Sequence, residues 1–212
     1  MFESERKQLV KLLEQKGITN KTILNAFLKV ERHLFVPEVI KSHSYNDVAL
    51  PIGLGQTISQ PYTVAYMTQE LNPQSGQKIL EIGTGSGYQA AILFVLGARV
   101  FTIERHHDLY NSTQKIFDQL NLKIAARCSD GTLGWPEFSP YDGIIVTAGS
   151  PDVPHQLKKQ LSIGGKMVIP VGDKKVQTLH VITKLSDTSF NTKEIPYFAF
   201  VPLIGKEGWK EK

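Results

Sequence analysis

From Gln77 onward, short runs of branched aliphatic residues alternate with amphipathic segments, and this rhythm constrains the fold of the 212-residue chain more than any other feature. "KILEIG", "RVFTIE", "KIAARC", "YDGIIVTA" and "KMVIPVG" read as strands. "YQAAILFVLG", closed by Gly97, "HDLYNSTQKIFDQLN" and "PHQLKKQL" read as helices among them. Strands nearly continuous in Val, Ile and Leu belong where both faces are covered, as in a parallel sheet. Strand-helix alternation with short connections predicts an α/β fold, a doubly wound and mostly parallel sheet with right-handed crossovers. "QTLHVITKL" and "YFAFVPL" have no convincing helix between them, which predicts two late strands and an antiparallel edge, their order left open.

The first part of the chain has a different pattern. Leu9, Leu12 and Leu13 fall at helical spacing within residues 3–16, and Gly17 follows as a stop. "TNKTILNAFLKVERHLF" repeats the pattern, with Asn20 as N-cap and Ile23, Phe27 and Val30 on one face. Pro37 either ends that segment or opens another short helix. "PYTVAYMTQEL" reads as a helix with Pro61 in its first turn, where the missing N–H costs nothing. One domain is expected over 1–212: a helical cap over 1–46, a loop and helix over 47–76, a ligand-binding core over 77–172, and edge strands with a tail over 173–212.

Glycines at 83, 85 and 87 stand between the first strand of the alternation and its helix, in "LEIGTGSGYQAA". Open α/β sheets bind ligands at that carboxyl-end crevice. Glu104 ends the second strand, about twenty residues on, where a carboxylate accepts hydrogen bonds from ribose hydroxyls. A dinucleotide fits poorly, because the spacing is G-x-G-x-G rather than G-x-G-x-x-G. Glu81, two residues ahead of the first glycine, would face a pyrophosphate unfavourably. It suits a ligand that bears an ammonium and a sulfonium, and S-adenosylmethionine has both, with a ribose and no phosphate. Tight turns alone would also explain the glycines. In "CSDGTLGWPE", Asp130 and Gly131 can meet the adenine, or simply form an Asp-Gly turn.

Composition excludes other classes. The net charge is +4, with Lys and Glu interspersed and no basic run of the kind that tracks a phosphate backbone, so nucleic acid is not an expected partner. Cys128 is the only cysteine, which forbids an intrachain disulfide and fits a reducing cytosol. It ends an apolar strand and is expected in the core, while Tyr88 and Trp135 are expected to pack against the core or the nucleoside site. The six histidines lack metal-ligand spacing, so no metal is assigned. "MFESERKQLV" carries charges where a signal peptide needs an apolar block. The longest apolar run, "AAILFVLGA", is far short of the ~20 residues that span a bilayer. A cytoplasmic monomer is expected, with no membrane association.

With these residues in hand, the chain resembles the protein L-isoaspartate (D-aspartate) O-methyltransferases over nearly its whole length. "RHLFVPE", "YNDVALPIGLGQTISQP", "LEIGTGSGYQAA", "SDGTLGWPEFSPYDGIIVTA", "VPHQLKKQLSIGGKMVIPVG" and "FVPLIG" all look like family segments in family order. "GQTISQP" is the most specific, since class I methyltransferases generally share the glycines. The resemblance implies a Rossmann-like class I methyltransferase fold, S-adenosyl-L-methionine as cofactor with S-adenosyl-L-homocysteine as product, and damaged isoaspartyl peptides and proteins as substrates. It implies Ser59 as the active-site serine and puts Gln60, Pro61, Tyr62 and Thr63 near the methionine end of the cofactor. Glu81, Gly83, Gly85, Gly87, Glu104, Asp130 and Gly131 fall on family cofactor positions, whereas Arg105 and His106 are not assigned. Ile58, Ser59, Val201, Pro202 and Leu203 are similar to the segments that line the substrate groove.

The hydroxyl-bearing loop, Gly53–Val64, holds no acid, base or cysteine to activate Ser59. A carboxylate acceptor needs none, because an α-carboxyl of pKa about 3.5 is already ionised at neutral pH. Ser59 and backbone N–H groups ahead of a helix can orient such an anion. Ser59 can instead cap that helix. Other readings explain less of the chain. A methyltransferase acting on a small molecule or RNA uses only the glycines, a non-catalytic S-adenosylmethionine-binding module leaves the loop without a job, and a nicotinamide dehydrogenase needs different spacing.

Overall fold

The computed structural model describes residues 2–211. The chain begins with α1 (Glu3–Gln15) and α2 (Lys21–Lys29). The Asn20 side chain accepts from the N–H groups of Thr22 and Ile23, so α2 starts where the sequence places its cap. The second helical pattern does not run on through "ERHLF". Val30 is extended (φ −81°, ψ 117°), and two 3₁₀ turns follow, Arg32–Phe35 and Glu38–His43. The break lets Arg32 turn inward. Its guanidinium is fully buried, donates to the Ser44 carbonyl at 2.8 Å and lies 4.9 Å from the Tyr88 ring centroid. Burial lowers its pKa to about 10. Pro37 precedes the second 3₁₀ turn, as an opener.

Leu50–Gly53 (β1) and Gln56–Ile58 (β2) form an antiparallel hairpin where the sequence shows only a loop. Leu54 and Gly55 both have positive φ (54° and 70°), the geometry of a tight two-residue turn. The helix α3 (Pro61–Leu71) follows.

The remaining strands make one seven-stranded sheet. In chain order these are β3 (Lys78–Ile82), β4 (Arg99–Glu104), β5 (Ala125–Cys128), β6 (Tyr141–Val146), β7 (Leu161–Gly172), β8 (Gln177–Lys184) and β9 (Phe190–Phe198). Their spatial order is β5-β4-β3-β6-β7-β8-β9. The first five positions are mutually parallel, and β8 and β9 close the far side by antiparallel pairing. The helices α4 (Tyr88–Val95), α5 (His107–Gln119) and α6 (His155–Gln160) lie between strands. This is the doubly wound α/β sheet with an antiparallel edge and a small N-terminal helical cap. The cap packs on α4 through Tyr88, whose ring meets Phe27 and Phe35 edge-on at 6.0 and 5.6 Å. Phe27 is 1% exposed, and burying such a ring is worth roughly 1.5–3 kcal/mol.

Three further expectations need correction. The last strand is not "YFAFVPL": β9 ends at Phe198, and residues beyond it leave the sheet, with a lone bridge from Gly149 to Pro202. Most of β9 is solvent-exposed edge, so its polar "FNTKE" carries no apolar signal. Next, β7 begins at Leu161 rather than Lys166, since α6 stops at Gln160. Finally, Cys128 is exposed, not core: it ends β5, the outermost strand, which is only partly covered. Trp135 is half-buried and packs against the core as expected, edge-on to Phe101 at 5.9 Å.

Candidate active site

The crevice lies at the carboxyl ends of β3, β4 and β6, beside the β3–β6 boundary where the strand order reverses direction. The glycine loop is locked to both strands. Gly83 N donates to the Ile103 carbonyl at 2.8 Å, and Gly85 N donates to Glu104 Oε2 at 2.9 Å. Gly83 has φ 93°, and a Cβ there would collide with Thr147 Oγ1, so glycine is required on two counts. Gly87 (φ 85°) opens α4 against Phe117 and Thr113, which is a packing role.

Glu81 and Glu104 are both buried, at 0% and 4% exposure. Glu81 Oε2 accepts from Thr102 Oγ1 at 2.5 Å, while its buried Oε1 has no hydrogen-bond partner. Burial, reinforced by the nearby Glu104, pushes the Glu81 carboxyl up to about 8. Glu104 is held differently, its Oε1 accepting from His106 N at 2.8 Å and its Oε2 from Gly85. A carboxylate with one orphaned oxygen in a buried wall fits a cationic ligand group.

One cavity gathers Glu81, Gly83, Gly85, Glu104 and Gly131 with Ile58, Ser59, Val201, Pro202 and Leu203. Gly87 and Asp130 are not on its wall. Asp130 spends its carboxylate on its own turn and on the C-terminal segment: Oδ1 accepts from Thr132 N and Oγ1 (2.9 and 2.7 Å), and Oδ2 accepts from Lys206 N at 2.8 Å. Arg105 and His106, which the sequence left unassigned, do line the cavity.

A second cavity opens beside the first as an aromatic groove. Tyr62, Tyr66, Phe198 and Phe200 step along it with ring centroids 5.8, 6.1 and 6.3 Å apart. Gln60, Tyr62 and Thr63 line this groove rather than the glycine-loop cavity, and Pro61 lines neither. Four residues belong to both walls: Thr57, Ser59, Thr147 and Val201. Ser59 does not cap α3. The N-cap is Gln60, and the first free N–H, that of Tyr62, donates to Asp47 Oδ1 at 2.8 Å. The helix's positive end is thus already engaged by an acid. Thr147, absent from the sequence reading, donates to the Gly83 carbonyl at 2.7 Å and ties the β6 end to the glycine loop. Its only hint in the sequence was its place at the end of "YDGIIVTA".

A family model described as Protein-L-isoaspartate(D-aspartate) O-methyltransferase matches residues 4–208. The chain belongs to this family. A protein-L-isoaspartate O-methyltransferase of Chlorobaculum tepidum is 53% identical, over 98% of this chain and 97% of its own length. One from Dictyoglomus thermophilum is 50% identical, over 99% and 96%. A solved protein-L-isoaspartate O-methyltransferase superposes with a TM-score of 0.88 at 29% identity, over 96% of this chain and 67% of that one. A protein from Plasmodium falciparum described as a β-aspartate methyltransferase, solved with S-adenosyl-L-homocysteine, matches at TM-score 0.83 and 24% identity, a likeness of fold, over 94% and 98%. Within the methyltransferase fold, the glycine-loop cavity and the aromatic groove meet at Ser59.

Proposed function

We propose that this protein transfers the methyl group of S-adenosylmethionine to the free α-carboxylate of L-isoaspartyl residues in damaged peptides and proteins, as a repair enzyme. The observation that carries the reading is the junction: the cavity with the buried acids and the groove that can take a peptide share Ser59. Glu81, Gly83, Gly85, Glu104 and Gly131 would hold the cofactor. The orphaned Glu81 Oε1 fits its ammonium, and Glu104, fixed by two backbone N–H groups, keeps lone pairs for ribose hydroxyls. When bound, S-adenosylmethionine supplies a methyl group activated on a sulfonium.

This chain's own residues orient the acceptor and exclude water. Ser59 and Val201, on the wall the groove shares with the cofactor cavity, would hold the isoaspartyl segment, with Ile58, Pro202 and Leu203 closing the cofactor side and the Ser59 hydroxyl donating to one carboxylate oxygen. No base is required, because the acceptor arrives ionised. Fixing its line of approach turns an encounter into an intramolecular step, worth several kcal/mol. The resulting methyl ester carries a better leaving group than the carboxylate, so the next backbone nitrogen attacks the ester carbonyl, expels methanol and closes a succinimide without the enzyme. Hydrolysis of that ring returns part of the material to normal aspartate.

The exposed thiol of Cys128 fits a reducing cytoplasm, and we read the protein as a cytoplasmic monomer. No helix among the described residues is long and apolar enough to cross a membrane. Incubation with labelled methyl donor and a matched pair of isoaspartyl and aspartyl peptides tests the activity. Base-labile label on the isoaspartyl member alone is expected. Base-stable label, or label on RNA, would overturn the reading in favour of another class I methyltransferase.

A further inference from the structure

The helix that follows the serine corner begins without an acid of its own. Its first turn holds none, and its N-cap, Gln60, makes no side-chain capping bond. The charge comes from Asp47, in the linker between the second 3₁₀ turn and β1. Asp47 Oδ1 accepts from Tyr62 N at 2.8 Å. Oδ2 accepts from Gln60 Nε2 at 3.1 Å and from Lys16 Nζ at 2.6 Å. The Asp47 backbone carbonyl takes the same Gln60 amide at 3.0 Å. One residue therefore grips the amide of Gln60 twice and the first free N–H of α3 once.

Gln60 directly follows Ser59 and lines the aromatic groove, whereas Asp47 lines neither cavity. Behind Asp47 the linker is fixed in turn, because the buried Arg32 donates to the Ser44 and Val48 carbonyls. Lys16, which closes α1, sits over the Tyr62 ring at 5.2 Å and balances the Asp47 charge. We infer that Asp47 is a positioning residue, which acts through Gln60 to hold the Ser59 corner in line with the acceptor carboxylate. The inference rests on the methyl-transfer reading above. Displacements of about 1 Å in such alignment cost up to 10²-fold in rate, so the anchor matters for turnover more than for binding.

The test compares Asp47→Asn, Gln60→Ala and the double variant in the full-length protein, using an isoaspartyl peptide. Asp47→Asn keeps the shape and the Oδ1 acceptor for Tyr62 but turns an amide donor toward Gln60 and Lys16. Each single change is expected to lower kcat on the order of tenfold, and the double change no further, since both remove the same contact between Gln60 Nε2 and Asp47 Oδ2. S-adenosylhomocysteine affinity should stay within about twofold of the unmodified protein, because the glycine-loop wall is untouched. Losses that multiply to roughly a hundredfold, or S-adenosylhomocysteine binding that weakens in step with kcat, would overturn the inference. Turnover by the unmodified protein tests the methyl-transfer reading on its own. Thermal unfolding of the same four proteins reads the coupling without turnover: the two Tm losses should fail to add, and additive losses would likewise overturn it.

Discussion

Binding of the cofactor product should release a proton, and the proton should come from Glu81. The carboxyl lies wholly out of water, with Oε1 unpartnered and Glu104 nearby, and its pKa is pushed up to about 8. At pH 7 roughly nine in ten ligand-free molecules then carry the proton. An ammonium arriving at Oε1 reverses the balance, since an adjacent opposite charge favours the ionised form. S-adenosylhomocysteine binding at pH 7 should thus expel roughly 0.9 proton, falling to about half at pH 8 and about a tenth at pH 9. Affinity should rise close to tenfold per pH unit below about 8 and flatten above it.

The stability of the ligand-free protein runs the other way. A carboxyl raised above its ordinary 4.5 binds its proton more tightly folded than unfolded. Its contribution is complete below pH 4.5 and is lost as pH rises toward 8, at no more than about 1.4 kcal/mol per pH unit. Titration calorimetry in buffers of different ionisation enthalpy measures the proton count directly. Glu81→Gln keeps the shape, abolishes the release and weakens binding at pH 8 and above. An enthalpy independent of buffer at pH 7, or equal release from Glu81→Gln, would refute the assignment of Glu81 to the cationic end of the ligand.

Ser59→Ala should lower kcat/KM for an isoaspartyl peptide by about 10²-fold, the usual cost of one oriented donor, while Tm moves by less than about 2 °C. A large Tm loss with unchanged kinetics would return Ser59 to a structural role. With cofactor saturating, kcat/KM should be flat from about pH 6 to 8, because the acceptor ionises near 3.5; a slope with a midpoint near 6.5 would reveal a histidine base. Gly83→Ala forces a side chain into positive φ against Thr147 and should cost at least about 1 kcal/mol in denaturant unfolding while weakening S-adenosylhomocysteine binding; unchanged affinity would separate this loop from the ligand. Asn20→Ala removes the acceptor for Thr22 N and Ile23 N and should cost about 1 kcal/mol in the same assay without altering kcat.

What the sequence displayed and what it concealed follow from the range of the interactions. The strands β3, β4 and β6 are covered on both faces, so their Ile-Leu-Val runs were legible, and so was the backbone turn that needs glycines 83, 85 and 87. The edge strand β9 was not, because solvent allows it Thr, Lys and Glu, while the apolar "FVPL" beyond it walls the cavities and pairs only through the Gly149–Pro202 bridge. Asp130 reads locally as a turn residue, and its Oδ1 does accept from Thr132 N, but spacing gives no sign of Lys206, 76 residues away, whose N–H its Oδ2 accepts. Thr147 reaches the glycine loop because Val146 pairs with Ile82 in parallel, a neighbour relation that residue spacing does not encode. The same argument explains the junction itself. Its four shared residues come from β2, the corner before α3, the end of β6 and the segment after β9. Each half of the chemistry was written locally, as an acid with a glycine loop and as a serine loop without a base. Tertiary packing of the β1-β2 hairpin beside the sheet brings the halves together, and the sheet order adds Thr147 to the wall between them: a shift of β6 against β3 would leave both motifs intact while separating Thr147 from the glycine loop.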